Sequence, residues 1–136
     1  MSSAYPFALN LFTWGGVVET HDLFQIVPVN SASGEVDAQN QARTRFKPEE
    51  TPVTLAAKKS RLGQVYLDWA RYPLVEAEGL PRNAGYRVRF QDLRFTYVVD
   101  ASRSASPPLA GYVELDPQLR VIDEYMGERA ARSRAR

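Results

Sequence analysis

One segment of this sequence carries a helical pattern, and it lies between two blocks of strand-like sequence. Lys47-Pro-Glu-Glu-Thr51-Pro52 ends on a hydroxyl residue that can cap a helix and a proline suited to its first position. Leu55, Leu62, Val65, Tyr66 and Trp69 then recur at helical spacing, with Lys58, Lys59, Arg61, Gln64 and Asp68 largely on the opposite face. Tyr72-Pro73 stops the pattern, because the residue before a proline is pushed out of the helical region. This predicts one main helix over residues 52–70. A doubly wound parallel sheet needs a helix for each crossover, so one helix excludes it. The expectation is an α+β fold: a mostly antiparallel sheet of about six strands with the helix packed on one face.

The flanking blocks support that reading. Tyr5 to Phe12 is apolar and interrupted by Pro6, and reads as an extended arm on the core. Trp14–Thr20 and Leu23–Val29 are β-prone and joined at Thr20-His21-Asp22, which predicts a hairpin. Pro28 belongs at a strand end or edge, since it cannot donate to a ladder. Residues 30–45 are polar, with a turn at Ser33-Gly34 and a short strand expected near Glu35-Val36-Asp37; this is the loop expected to move most. After the helix, Leu74–Ala77 reads as a short strand and Tyr86, Val88 and Phe90 alternate with Arg87, Arg89 and Gln91. Leu93, Phe95, Tyr97 and Val99 alternate in the opposite phase, which predicts a further strand after a bulge near Gln91-Asp92. Tyr112–Leu115 and Leu119–Tyr125 complete the set, turning at Asp116-Pro117. No repeat or internal boundary is visible, so residues 1–136 read as a single domain.

Composition narrows the chemistry. The chain lacks Cys, which removes disulfides, thiolate metal sites and cysteine nucleophiles. Its one histidine, His21, has Glu19 and Asp22 nearby, and reads as a surface turn residue rather than a metal ligand. Gly15-Gly16 lacks the Lys and Ser/Thr of a phosphate loop and reads as relief of crowding beside Trp14. A net charge of +1 is too balanced for a dedicated nucleic-acid binder, so no nucleic acid is expected as a partner. The tail Glu128–Arg136 holds four arginines against one glutamate, a net +3, which leaves −2 on the rest. It is expected to be disordered, with contact to a membrane surface as its candidate role. Residues 1–18 carry no charge, yet Pro6, Asn10 and Gly15-Gly16 break them up, and no stretch supplies the roughly 20 apolar residues of a membrane span. As it stands the chain reads as soluble.

The densest cluster of chemistry is Asp68-Trp69-Ala-Arg71-Tyr72-Pro73 at the helix end with Asp92-Leu-Arg94-Phe95 beyond it. Trp69, Arg71, Asp92 and Arg94 are therefore the candidate ligand-binding residues. Planar guanidinium groups can hold a carboxylate or phosphate bidentately. The same residues also suit an internal ion-pair network joining helix to sheet, with Trp69 as its apolar floor. No catalytic or metal-ligating residue is assigned. A general base at Asp68 or Asp92 ranks last, because neighbouring arginines lower a carboxylate pKa.

Leu9-Asn10-Leu11-Phe12-Thr13-Trp14, Val18-Glu19-Thr20, Trp69-x-Arg71-x-Pro73 and Asp92-x-Arg94-Phe95 stand in this order over most of the chain, from about residue 6 to 125. Together they resemble the soluble carboxy-terminal region of the bacterial membrane-bound metal-dependent hydrolase family. The resemblance implies a longer inner-membrane protein, whose transmembrane helices carry His and Asp motifs for a divalent metal. None of those motifs occurs here, so no cofactor or catalytic role is carried onto any residue of this chain. What the resemblance implies is an accessory domain, inert alone, whose partner is the transmembrane domain of the same polypeptide. The alternative is a stand-alone binding module for a small anionic ligand, held by the same arginines.

Overall fold

In the computed structural model, which describes residues 1–7, 10–37, 40, 42–98 and 109–127, the strands on either side of the helical segment pair only among themselves. The first four are β1 (Ser2–Phe7), β2 (Asn10–Glu19), β3 (Leu23–Asn30) and β4 (Arg43–Phe46). Two helices follow, α1 (Pro52–Lys58) and α2 (Arg61–Trp69). The last four strands are β5 (Pro73–Gly79), β6 (Tyr86–Asp92), β7 (Gly111–Leu115) and β8 (Val121–Met126). The orders are β1-β2-β3-β4 and β5-β6-β7-β8, antiparallel at every step. The fold is α+β, with two four-stranded meanders in place of one sheet of about six strands. The Ser/Pro segment 101–108 and the Arg-rich tail 128–136 lie outside the described residues.

The expected single helix is two. Thr51 and Thr54 form a reciprocal capping box, and Pro52 opens α1 as its position predicts. The chain then breaks at Lys59-Ser60, where Ser60 caps α2 by accepting from the Gly63 N–H at 3.0 Å. The second helix folds back closely on the first: a Cβ on Gly63 would stand 2.2 Å from the Ala57 carbonyl oxygen. Glu124 of β8 accepts from the Leu62 N–H at 2.8 Å, so a strand side chain satisfies one of the open amides of α2. The helix pattern ends at Trp69, and β5 begins at Pro73, as the proline predicts.

Both helices cover one face of the second sheet. Ala57 and Tyr66 pack there on Val75, Val88, Phe90, Val113 and Leu115. The opposite face of that sheet carries a charged ladder. Arg87 donates to Glu114 at 3.0 and 3.1 Å, and Arg89 donates to Glu76 at 2.6 Å. Burial, the largest single influence, would lower the Arg87 pKa; the hydrogen bonds to Glu114 and the charges of Tyr125, Glu114 and Glu78 together outweigh it and raise the value.

The two sheets meet through a second core in which Val17, Phe24 and Ile26 face Tyr72, Leu74 and Leu93. The Phe24 and Tyr72 rings sit edge to face at 6.1 Å, and the Tyr72 hydroxyl donates to Ser3 Oγ at 2.6 Å. The amino-terminal segment is thus an edge strand in register with β2, more than an arm. Near residue 36 the expected strand is only an isolated bridge, Val29 to Val36, and the strand that forms is β4.

A second correction concerns residues 93–98, which form a 3-10 helix instead of a strand. The Asp92 side chain accepts from the Arg94 N–H at 2.9 Å, and the Leu93 N–H donates to the Tyr72 carbonyl at 3.0 Å. A local side-chain acceptor has displaced the ladder. The phase change expected as a bulge is this turn. The Asp116-Pro117 turn forms as expected, with Asp116 accepting from the Gln118 and Arg120 N–H groups at 2.9 Å each. No helix among the described residues is long and apolar enough to cross a membrane.

Candidate functional site

The candidate cluster forms where α2 ends and β6 ends. After Trp69 the chain reverses through Arg71-Tyr72 and enters β5, whose first residue, Pro73, pairs with Asp92. The last residue of β6 is thereby set beside the end of α2. Asp92 is 2% exposed and its carboxylate is ringed by donors. One oxygen, Oδ1, accepts from the Arg94 N–H; the other, Oδ2, accepts from the Arg71 N–H at 2.8 Å and from Arg94 Nε at 2.9 Å. Arg94 Nη2 adds an ion-pair contact to Oδ2 at 2.7 Å, off the hydrogen-bond axis.

The Arg94 guanidinium also lies against a stacked pair of aromatic rings, beside both. Its carbon lies 5.2 Å from the centres of both Trp69 and Phe95. Those rings are parallel within 5° at 5.7 Å. Trp69 is half exposed, so it is a wall at the rim and not the buried floor expected of it. Below, Tyr66 packs between Trp69 and Phe90 and donates to the Leu109 carbonyl at 3.0 Å. Burial first, and then the negative charge of Asp92, push its phenol pKa up to about 12.

Three of the four residues named from the sequence therefore meet through their side chains: Trp69, Asp92 and Arg94. Arg71 joins through its main-chain N–H alone, and its side chain is exposed. Asp68 is also exposed. Tyr66 and Phe95 belong to the cluster without having been singled out. Their signals were present, Tyr66 three residues before Trp69 on the helix and Phe95 adjacent to Arg94.

The Asp92 carboxylate is buried, paired with Arg94 and already accepts three hydrogen bonds, so it is not arranged as a general base. What the cluster does is fasten the end of α2 to the end of β6. Among the described residues the solvent-facing parts of this cluster are Trp69 and, in part, Arg94, with the exposed Arg71 side chain following Trp69 by two residues.

Elsewhere, His21 is almost wholly exposed and lies 2.5 Å from its neighbour Asp22, while Glu19 is paired with Lys47 at 2.7 Å. Among the described residues no three His, Asp or Glu side chains converge as a metal site. At Gly16 a Cβ would meet the Val27 carbonyl oxygen at 3.2 Å and Val29 at 3.5 Å, so this glycine relieves crowding from β3. No protein-family model, curated protein or solved structure matches this chain.

Proposed function

We propose that this chain is the soluble accessory domain of a bacterial membrane-bound metal-dependent hydrolase, inert by itself as a catalyst. The parent protein would be inner-membrane-associated, with the transmembrane domain of the same polypeptide as this domain's partner. Its divalent metal would be held by that transmembrane domain. The motif resemblance supplies the family. The observation that carries the accessory role is the Asp92 network, where the buried carboxylate and the Arg94 guanidinium are used to hold helix to sheet. The test is the reading frame upstream of Tyr5 in the source genome. Apolar spans with His and Asp clusters are the expected result. Translation starting at Met1 with no such partner overturns the reading.

One observation favours a second reading, a binding module for a small anionic ligand. The Arg71 side chain is exposed, as is half of Trp69 two residues before it. Here a thermal-shift series with phosphorylated and carboxylated compounds should stabilise the parent and not Arg71→Ala. No stabilisation across the series removes this reading.

A further inference from the structure

Where α2 runs beside β7 and β8, Tyr66 is the hub of an apolar surface. Its ring lies 5.6 Å from that of Trp69, and its hydroxyl donates to the Leu109 carbonyl at 3.0 Å. Met126 reaches the same place from β8: Leu62, the Tyr66 ring and the Met126 sulfur stand 2.9, 3.1 and 3.3 Å from where a Cβ on Gly111 would be. Tyr66 is buried, yet the apolar side chains around it face solvent. Trp69 is 48% exposed, Leu109 51% and Met126 54%. Val65, one turn before Trp69 on α2, is 65% exposed. Four large apolar side chains at one corner exceed the single exposed residues that any surface carries. The backbone adds a second observation. Leu109 has a φ of +61°, in the left-handed region where a bulky side chain is strained. Tyr66 holds the Leu109 carbonyl, and the Gly127 N–H holds the next one, that of Ala110, at 2.7 Å. Strain kept in place by tertiary bonds points to a use for the side chain it presents.

We propose that this corner docks on an anionic lipid surface, with Val65, Trp69, Leu109 and Met126 entering the headgroup layer. Charge selects that occupant. Arg61 opens α2 and Arg71 follows its end, and both are exposed. Past Met126-Gly127 the sequence adds four arginines against Glu128, a net +3. On the acidic side, Asp68 is the one carboxylate of α2, and Glu124 of β8 is tied to the Leu62 N–H at 2.8 Å. An apolar face with a tryptophan at its border and cations beside it suits a bilayer interface, where rings sit among headgroups and arginines meet phosphates. A second copy would bring the same cations together across a two-fold axis, which disfavours it. This inference stands apart from the hydrolase reading, which puts the membrane contact in other, transmembrane residues and is tested by the upstream reading frame.

The test is flotation of the 136-residue chain with lipid vesicles. At low salt the chain should float with phosphatidylglycerol vesicles and stay behind with phosphatidylcholine vesicles, and added salt should release it. Val65 stands clear of the core, so Val65→Asp should keep its circular dichroism and weaken flotation about tenfold or more. Arg61→Glu and Arg71→Glu combined in one chain should do the same. Val65→Asp leaves every arginine in place, so it separates docking of the face from phosphate binding by arginine alone. No flotation with phosphatidylglycerol overturns the proposal, as does either variant floating like the parent. Equal flotation with both lipids overturns it too, because charge then selects nothing. A lipid-free dimer that Val65→Asp breaks assigns the face to a second copy and overturns it as well.

Discussion

At the residue scale, the molecule turns on what Asp92 holds. A buried carboxylate that loses its partners, or a buried guanidinium that loses its carboxylate, costs several kcal/mol. Asp92→Ala should therefore lower stability by about 3 kcal/mol and Arg94→Ala by about 2 kcal/mol, read from urea midpoints. The double variant should fall well short of the sum, because both changes break one network. Arg71→Ala should stay within about 0.5 kcal/mol, since it donates through its main chain, which alanine keeps. A large loss in Arg71→Ala would mean that its guanidinium does structural work this arrangement does not give it. Tyr66 offers a separate check. Its phenol pKa is raised from the ordinary 10.0 to about 12 in the folded state. The stabilisation tied to that shift is full below pH 10 and is lost as pH rises from 10 to about 12. Ultraviolet titration should show one tyrosine ionising late, and Tyr66→Phe should abolish that late step.

At the element scale, the break between α1 and α2 is the feature to probe. Thr51 closes the capping box of α1, so Thr51→Ala should cost about 1 kcal/mol. Gly63→Ala is a sharper case. The added methyl would meet the Ala57 carbonyl at 2.2 Å and Lys58 backbone atoms at 3.0 Å, and backbone cannot swing aside as a flexible side chain can. A loss of about 3 kcal/mol is expected, measured by thermal or urea unfolding, against the small gain alanine brings to an unobstructed helix. A neutral Gly63→Ala would show that α2 does not fold back on α1 this closely. The same contest between local and tertiary preference explains residues 93–98. Their alternation fits a strand, but the Asp92 carboxylate captures the next amides and winds the chain into a turn.

At the scale of the whole molecule, two sheets are joined by one small core centred on Tyr72. Its ring is fully buried between Phe24 and Leu74, and its hydroxyl reaches β1. Tyr72→Phe should cost about 1 kcal/mol for the lost hydrogen bond to Ser3. Tyr72→Ala should cost about 3–5 kcal/mol. Hydrogen exchange in the alanine variant should accelerate first in β2 and β3 and least in β6 and β7, because the latter keep the helix-covered core. Uniform acceleration would mean that the sheets open as one unit.

The sequence by itself determined the features whose causes are local. The Thr51-Pro52 start, the Tyr72-Pro73 stop, the Asp116 turn and the alternation of β6 each depend on a few neighbouring residues, and each stands where the residues place it. The α+β class followed from their order. The meeting of Trp69, Asp92 and Arg94 was legible too, since charges and rings at a helix end and a strand end need only an antiparallel return to come together. Tertiary structure decided the rest. Whether eight strands form one sheet or two depends on which inward side chains find each other, as Val17, Phe24 and Ile26 find Tyr72 and Leu93. The helix break depends on how closely α2 folds back on α1, and the outward turn of Phe46 on register with Leu23. Those are contacts between residues far apart in the chain, and no local pattern encodes their distance.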